Sequence, residues 1–379
     1  FFYIFIISLL FKPLWLFETN KISEQDDLSY WLHSYTVASD YDIDYQDDHN
    51  FSSTIFHPET RAPYHPPGSG YLTSPFVFIF SIGDYFQGKE VDSENPVRSF
   101  AYAGYFAGTL FYCLAGFYLL ALAVRKNNYY HHKLLYLIIL LSSTIHFVST
   151  RFLMSHSVEF FLCSWLIFLY ETKKNLFSTN DFLQLLTCYF LLSITRPSTF
   201  IYSLILLGVY TKKFYNPRKI NFGMKHILMV GVFISAYIYL SFKLYNEPAI
   251  LLNLSSNSTT SSFVKDINLN FFVDNLIYLP NFIFSPSLGL IWIMPSIFFS
   301  LFIVLFFRRR INEFSSLNLF FLFLYFLSGI SILFIWQGRD VAFGQRLIIG
   351  LLPMSFIIIS KVKIKYKQPF YLYSTLLYM

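Results

Sequence analysis

Residues 98–133 read RSFAYAGYFAGTLFYCLAGFYLLALAVRKNNYYHHK. From Ser99 to Val124 there is no Asp, Glu, Lys or Arg, and the run exceeds the roughly 20 residues a helix needs to cross a bilayer. It stops at Arg125 and Lys126, and Lys133 follows. Apolar runs recur in both directions, and from here onward every second connection between them is basic. Apolar runs of spanning or near-spanning length cover 1–17, 98–124, 134–150, 155–171, 182–195, 198–211, 226–245, 288–307, 317–336 and 346–360, and another begins near 369.

Composition agrees with that pattern. The chain has 379 residues, 55% apolar and only 13% charged, against about 25% charged in an average soluble domain. So few charges cannot cover so much apolar surface in water. A cytosolic globular enzyme, a disordered tail and a nucleic-acid-binding module are excluded as classes. The expectation is an all-α polytopic membrane protein, because a helix satisfies its own backbone in lipid. Cys113, Cys163 and Cys188 lie in apolar runs without CxxC spacing and read as small core residues.

The charges set an orientation. Connections 125–133, 172–181, 212–225, 308–316 and 361–367 hold 17 of the 28 Lys and Arg. By the positive-inside rule they face the cytoplasm. The alternation requires that 71–83, YLTSPFVFIFSIG, lie at the interface rather than cross. Four regions follow: a truncated first span over 1–17, an external loop over 18–97, a helical core over 98–360, and a cytoplasmic turn with the start of a further span over 361–379. Residues 18–70 hold ten acids against Lys21 and Arg61. The chemistry is expected there.

Three features stand out in the loop. Asp26-Asp27 precede an apolar and aromatic pattern that predicts a membrane-surface helix, whose dipole favours carboxylates at its start. They read either as N-terminal caps or as catalytic carboxylates. Asp40, Asp42, Asp44, Asp47 and Asp48 fall within nine residues. Alternate Asp on an extended strand would share a face. Asp42, Asp44, Asp47 and Asp48 would suit a divalent Mg, Mn or Ca ion, or form a solvated acidic turn. Then come His57-Pro58-Glu59 and Tyr64-His65-Pro66-Pro67-Gly68, where prolines stiffen the backbone around each histidine.

An acid pair after the first span, an Asp-rich stretch, and His-Pro-Pro before the next helix resemble the GT-C membrane glycosyltransferases. The likeness is to bacterial relatives of the dolichyl-phosphate-mannose protein mannosyltransferases (glycosyltransferase family 39) and to the aminoarabinose lipid A transferases. Asp26-Asp27 and His65-Pro66-Pro67 occupy the places of the family's motifs. Gly68 stands where the family usually has Leu or another apolar residue. Arg98 at the second span, Arg196-Pro197 in a short external turn, and WQGRDVAFGQRLIIGLLP at 336–353 fit the same order.

The resemblance implies a helical bundle with about 10–11 spans or half-spans and a polyprenyl-phosphate sugar donor. It also implies an acceptor glycan, lipid or protein, and an active site on the periplasmic face of a bacterial inner membrane. Asp26, then Asp27, is expected as the base. His65, Arg346, Arg196 and Arg98 are expected at the donor phosphate, with Arg61, Arg151 and Arg339 on the same side. His57, Glu59, His156 and Glu159 complete the candidates; Glu159 lies one turn after His156 and either serves function or pairs with Arg151. Two other classes compete. An O-antigen-type polymerase or ligase usually carries its large external loop late. A lipid or sugar transporter expects mid-membrane charges and repeated halves.

Overall fold

In the computed structural model, the apolar runs that fall within the described residues are helical, and no β-strand occurs among those residues. The structure describes residues 22, 25–48, 56–91, 93, 96–129, 148, 151–173, 175–210, 223–247, 284, 294–306, 316–337 and 348–361. The helices are α1 (Gln25–Ser39), α2 (Gly68–Phe86), α3 (Phe100–Lys126), α4 (His156–Thr172), α5 (Thr179–Thr195), α6 (Pro197–Ser203), α7 (Ile205–Val209), α8 (Met224–Tyr245), α9 (Pro295–Phe306), α10 (Ser316–Gln337) and α11 (Leu352–Lys361). Two of them, α3 and α8, are long and apolar enough to cross a membrane. The expected span at 1–17 and the chain after Lys361 lie outside the described residues, as does nearly all of the run at 134–150.

Helix boundaries follow from local chemistry. The start of α3 is capped twice. Ser99 Oγ accepts from Tyr102 N at 3.0 Å, and the buried Asp84 carboxylate accepts from Phe100 N and Ala101 N, each at 2.8 Å. Those amides have no partner within the helix, so the carboxylate satisfies them. Arg125 and Lys126 close α3 at its negative end. Ser178 caps α5. Pro197 ends α5 because the residue before a proline is driven out of the helical region; Arg196 sits at φ −150°, ψ 83°. Pro197 then opens α6, where its missing N–H costs nothing.

The segment expected to lie at the interface, 71–83, is longer than its apolar core suggests. Helix α2 has 19 residues, about 28 Å of rise. It packs antiparallel on the first half of α3. Gly83 meets the Phe100 ring, Gly104 meets Phe76 and Phe80, and Tyr112 Oη donates to the Leu72 carbonyl at 2.8 Å. A Cβ on Gly104 would lie 2.5 Å from the Phe76 carbonyl oxygen, so only glycine permits that approach.

Helices α4, the α6–α7 pair and α11 start together beside the middle of α3 and finish together with it at the far end. At the far end the Glu171 carboxylate of α4 accepts from Tyr129 Oη (2.8 Å), Tyr210 Oη (2.5 Å) and Lys361 Nζ (2.9 Å). At the near end the buried turn 151–155 threads between helices. Its carbonyls are satisfied by α3 hydroxyls: Tyr105 Oη donates to Leu153 O at 2.9 Å and Thr109 Oγ1 to Phe152 O at 2.8 Å. Helix α1 lies across this end, with Trp31 fully buried against Tyr102 and Tyr105 and its indole N–H on the Ser93 carbonyl. Helix α8 ends there too: Thr60 Oγ1 donates to Leu244 O and Asn246 Nδ2 to Glu59 Oε2, each at 2.5 Å.

Candidate functional site

The first turn of α1 splits the two adjacent carboxylates. Asp27 is buried and takes a fork from Arg151, Nε to Oδ2 at 2.9 Å and Nη2 to Oδ1 at 3.4 Å. Asp26 is a third exposed and its Oδ1 lies 3.3 Å from His65 Nε2. The acid pair and the His-Pro-Pro motif therefore meet in space. Tyr30, one turn along α1 from Asp26, lies beside the His65 ring with centroids 5.3 Å apart.

Three groups set the backbone of His65. Pro66 and Pro67 follow it and fix their own φ. His33 Nε2 lies 2.7 Å from the His65 carbonyl, and Tyr245 Oη donates to the same carbonyl at 3.2 Å and to Pro63 O at 3.0 Å. His33 is fully buried, and that burial lowers its pKa to about 3. Gly68 opens α2 against the α5–α6 break: a Cβ there would lie 2.8 Å from Thr195 N and 2.9 Å from Ile194 C. The apolar residue usual in the resembled family would not fit this packing.

Arg196, at the same break, is 13% exposed, with Nε 3.7 Å from Glu159 Oε2. Its Nε, Thr195 Oγ1 and His65 Nδ1 are buried atoms without a hydrogen-bond partner among the described residues. Glu159 is fully buried; it accepts from Thr199 Oγ1 at 2.5 Å and a Gly350 backbone bond, and its Oε2 lies 3.2 Å from His156 Nδ1. Its pairing is thus with Arg196 and His156, whereas Arg151 serves Asp27.

The acidic stretch is arranged differently from expectation. Residues 40–48 form bends and turns, not an extended strand. Asp42 and Asp44 spend side-chain oxygens on loop amides, Asp44 N to Asp42 Oδ1 at 2.8 Å and Gln46 N to Asp44 Oδ1 at 3.2 Å. The carboxylates that converge are Asp40, Asp47 and Asp48, with oxygens within 4.8 Å of one another. Burial and the neighbouring Asp40, Asp47 and Asp42 charges raise Asp48 to about 7, against the bond from Thr36 that favours its ionised form. Among the described residues, this triad is the group whose carboxylate oxygens lie close enough together to share a cation. Thr36, which holds it, lies ten residues along α1 from Asp26, about 15 Å of helix. A cation there would brace the loop rather than touch the Asp26–His65 pair.

His57 and Glu59 build the loop. His57 Nδ1 accepts from Thr60 N at 3.3 Å, and Glu59 holds Asn246. Arg61 Nη1 donates to Gln46 O at 2.8 Å. Arg98 closes a short 3₁₀ turn, Pro96–Arg98; its side chain, Arg339 and Arg346 lie outside the described residues. Sequence reasoning missed His33 and Tyr245. A signal for His33 existed: Asp26, Tyr30 and His33 fall at i, i+4 and i+7, one face of a helix. Tyr245 had none, being 180 residues from the carbonyl it holds. No protein-family model, curated protein or solved structure matches this chain.

Proposed function

We propose that this chain is a polytopic membrane glycosyltransferase of the GT-C kind, moving a hexose or pentose from a polyprenyl phosphate to an acceptor hydroxyl on the external face. The observation that carries the reading is the Asp26–His65 contact at 3.3 Å, on the end of the molecule where the Arg151 and Arg196 turns lie. The largely exposed α8, with Leu228, Val232 and Tyr239 each over 60% exposed, suits a lipid surround.

The acceptor oxygen attacks the anomeric carbon as the bond from that carbon to the phosphate oxygen breaks. The electron pair leaves with the polyprenyl phosphate, and the acceptor's proton passes to Asp26. Asp27 is the poorer base because the Arg151 fork occupies both its oxygens. The leaving phosphate needs donors. Arg196 and His65, whose side chains are 13% and 28% exposed on this end, are the groups assigned to it.

The test is transfer in detergent from a panel of short-chain polyprenyl-phosphate hexoses and pentoses. Asp26→Asn lowers turnover by about 10²–10⁴-fold with donor binding retained. Asp27→Asn lowers the melting temperature instead, because it leaves Arg151 without its countercharge. Full turnover in a folded Asp26→Asn protein sinks the assignment. A wild-type protein that moves sugar lipid across vesicles without cleaving it supports a transporter.

A further inference from the structure

The Asp26–His65 pair is only as well placed as the His65 main chain. Three groups, Tyr71, Tyr45 and His33, lead to that main chain in a line. His33 Nε2 faces a carbonyl, which accepts and cannot donate, so Nε2 carries the proton. Burial keeps the ring neutral, so Nδ1 is an acceptor, and Tyr45 Oη at 2.5 Å donates to it. The Tyr45 proton being committed, Tyr71 Oη at 3.3 Å donates to Tyr45. The bonds all run one way, Tyr71 to Tyr45 to His33 to the His65 carbonyl, and each polarises the next. Both rings stand edge-on to His33, with interplanar angles of 87° for Tyr45 and 82° for Tyr71. His33 therefore has a single tautomer and a single ring orientation.

We propose that His33 is a positioning residue, which, through its bond to the His65 carbonyl and with Tyr245 as second donor, holds the His65 imidazole against Asp26. The inference rests on the transferase reading for its kinetic consequence but not for its geometry. Neither His33 nor Tyr245 touches substrate. Their effect on turnover passes entirely through His65.

Two variants separate positioning from bulk packing. His33→Phe fills the ring's volume and removes both hydrogen bonds. His33→Gln places an amide N–H where Nε2 stood and an acceptor toward Tyr45. Turnover falls about tenfold or more in His33→Phe and recovers in His33→Gln. In a His65→Ala background His33→Phe costs no further turnover, because the group it positions is gone. A residue that matters only for folding gives the same loss in both backgrounds, tracking the melting temperature, and that result overturns the proposal.

A readout without catalysis keeps the two ideas apart. In protein carrying ¹⁵N-histidine, His33 shows a protonated Nε2 and a bare Nδ1 at neutral pH. The His65 ring resonances move in folded His33→Phe and return in His33→Gln. Unmoved His65 resonances in folded His33→Phe refute the positioning role even if transfer is seen. If wild-type protein transfers no sugar, the transferase reading fails and the resonances alone decide the role of His33.

Discussion

Asp26 and Asp27 are chemically identical neighbours with opposite circumstances. One faces His65 and water, the other is locked by Arg151. The sequence made the pair conspicuous but not the division, because Arg151 is 124 residues away and the choice is made by the buried 151–155 turn. His33 shows the same limit and carries a prediction. Its folded pKa of about 3 lies below the ordinary 6.5. The unfolded chain thus binds a proton first as pH falls. The stability this buried neutral ring contributes is whole above pH 6.5 and drains as pH drops toward 3. Between pH 6.5 and 4 the loss is about 3 kcal/mol. Wild-type protein should lose melting temperature over that interval more steeply than His33→Phe. Parallel curves would mean that His33 is not held neutral.

At the level of helices the apolar runs were legible, since each is a length of chain without charges. Their ends were less so. Gly68-Ser-Gly70 reads as loop, yet it is helical, because Gly68 can lie against the α5–α6 break and let α2 begin three residues before the expected 71. The Arg196-Pro197 break was readable because proline acts locally. The far-end clamp was not: Glu171 sat at the border of a run, and its partners come from three other segments. Glu171 and Lys361 are 3% and 5% exposed. Removing one partner of such a pair leaves an uncompensated buried charge and costs about 3–5 kcal/mol. Lys361→Met should therefore lower the melting temperature sharply, and Glu171→Gln combined with it should restore much of the loss. Equal melting of Lys361→Met and wild type would show that the clamp carries no stability.

Across the described residues the acids are concentrated at one end. The acid-rich loop, Asp26 and His65 gather where α4 and α11 begin, beside the middle of α3; Arg125, Lys126, Lys173 and Lys361 lie where α3, α4 and α11 finish. Under the proposed membrane reading, the positive-inside rule puts this end outside. In cells, a cysteine at Tyr41 should react with an impermeant reagent and one at Asn128 should not. The reverse pattern would invert the orientation.

Burial gives the acid-rich loop a pH response opposite to that of His33. Asp48 is raised from 3.8 to about 7, mainly by burial, so its contribution is whole below 3.8 and is lost as pH rises through 7. Asp48→Asn keeps an acceptor for Thr36 and removes the charge. From pH 5 to pH 8 it should hold its melting temperature better than wild type; an identical decline would show that Asp48 titrates as an ordinary carboxylate.

The central claim is that a lipid-borne phosphate docks beside Arg196 and His65, within reach of Asp26. An experimental structure with a bound polyprenyl phosphate tests it most directly. The predicted map has the phosphate within hydrogen-bonding distance of Arg196 or His65. A phosphate seated instead at the Glu171–Lys361 end, or elsewhere along the helices, would contradict it.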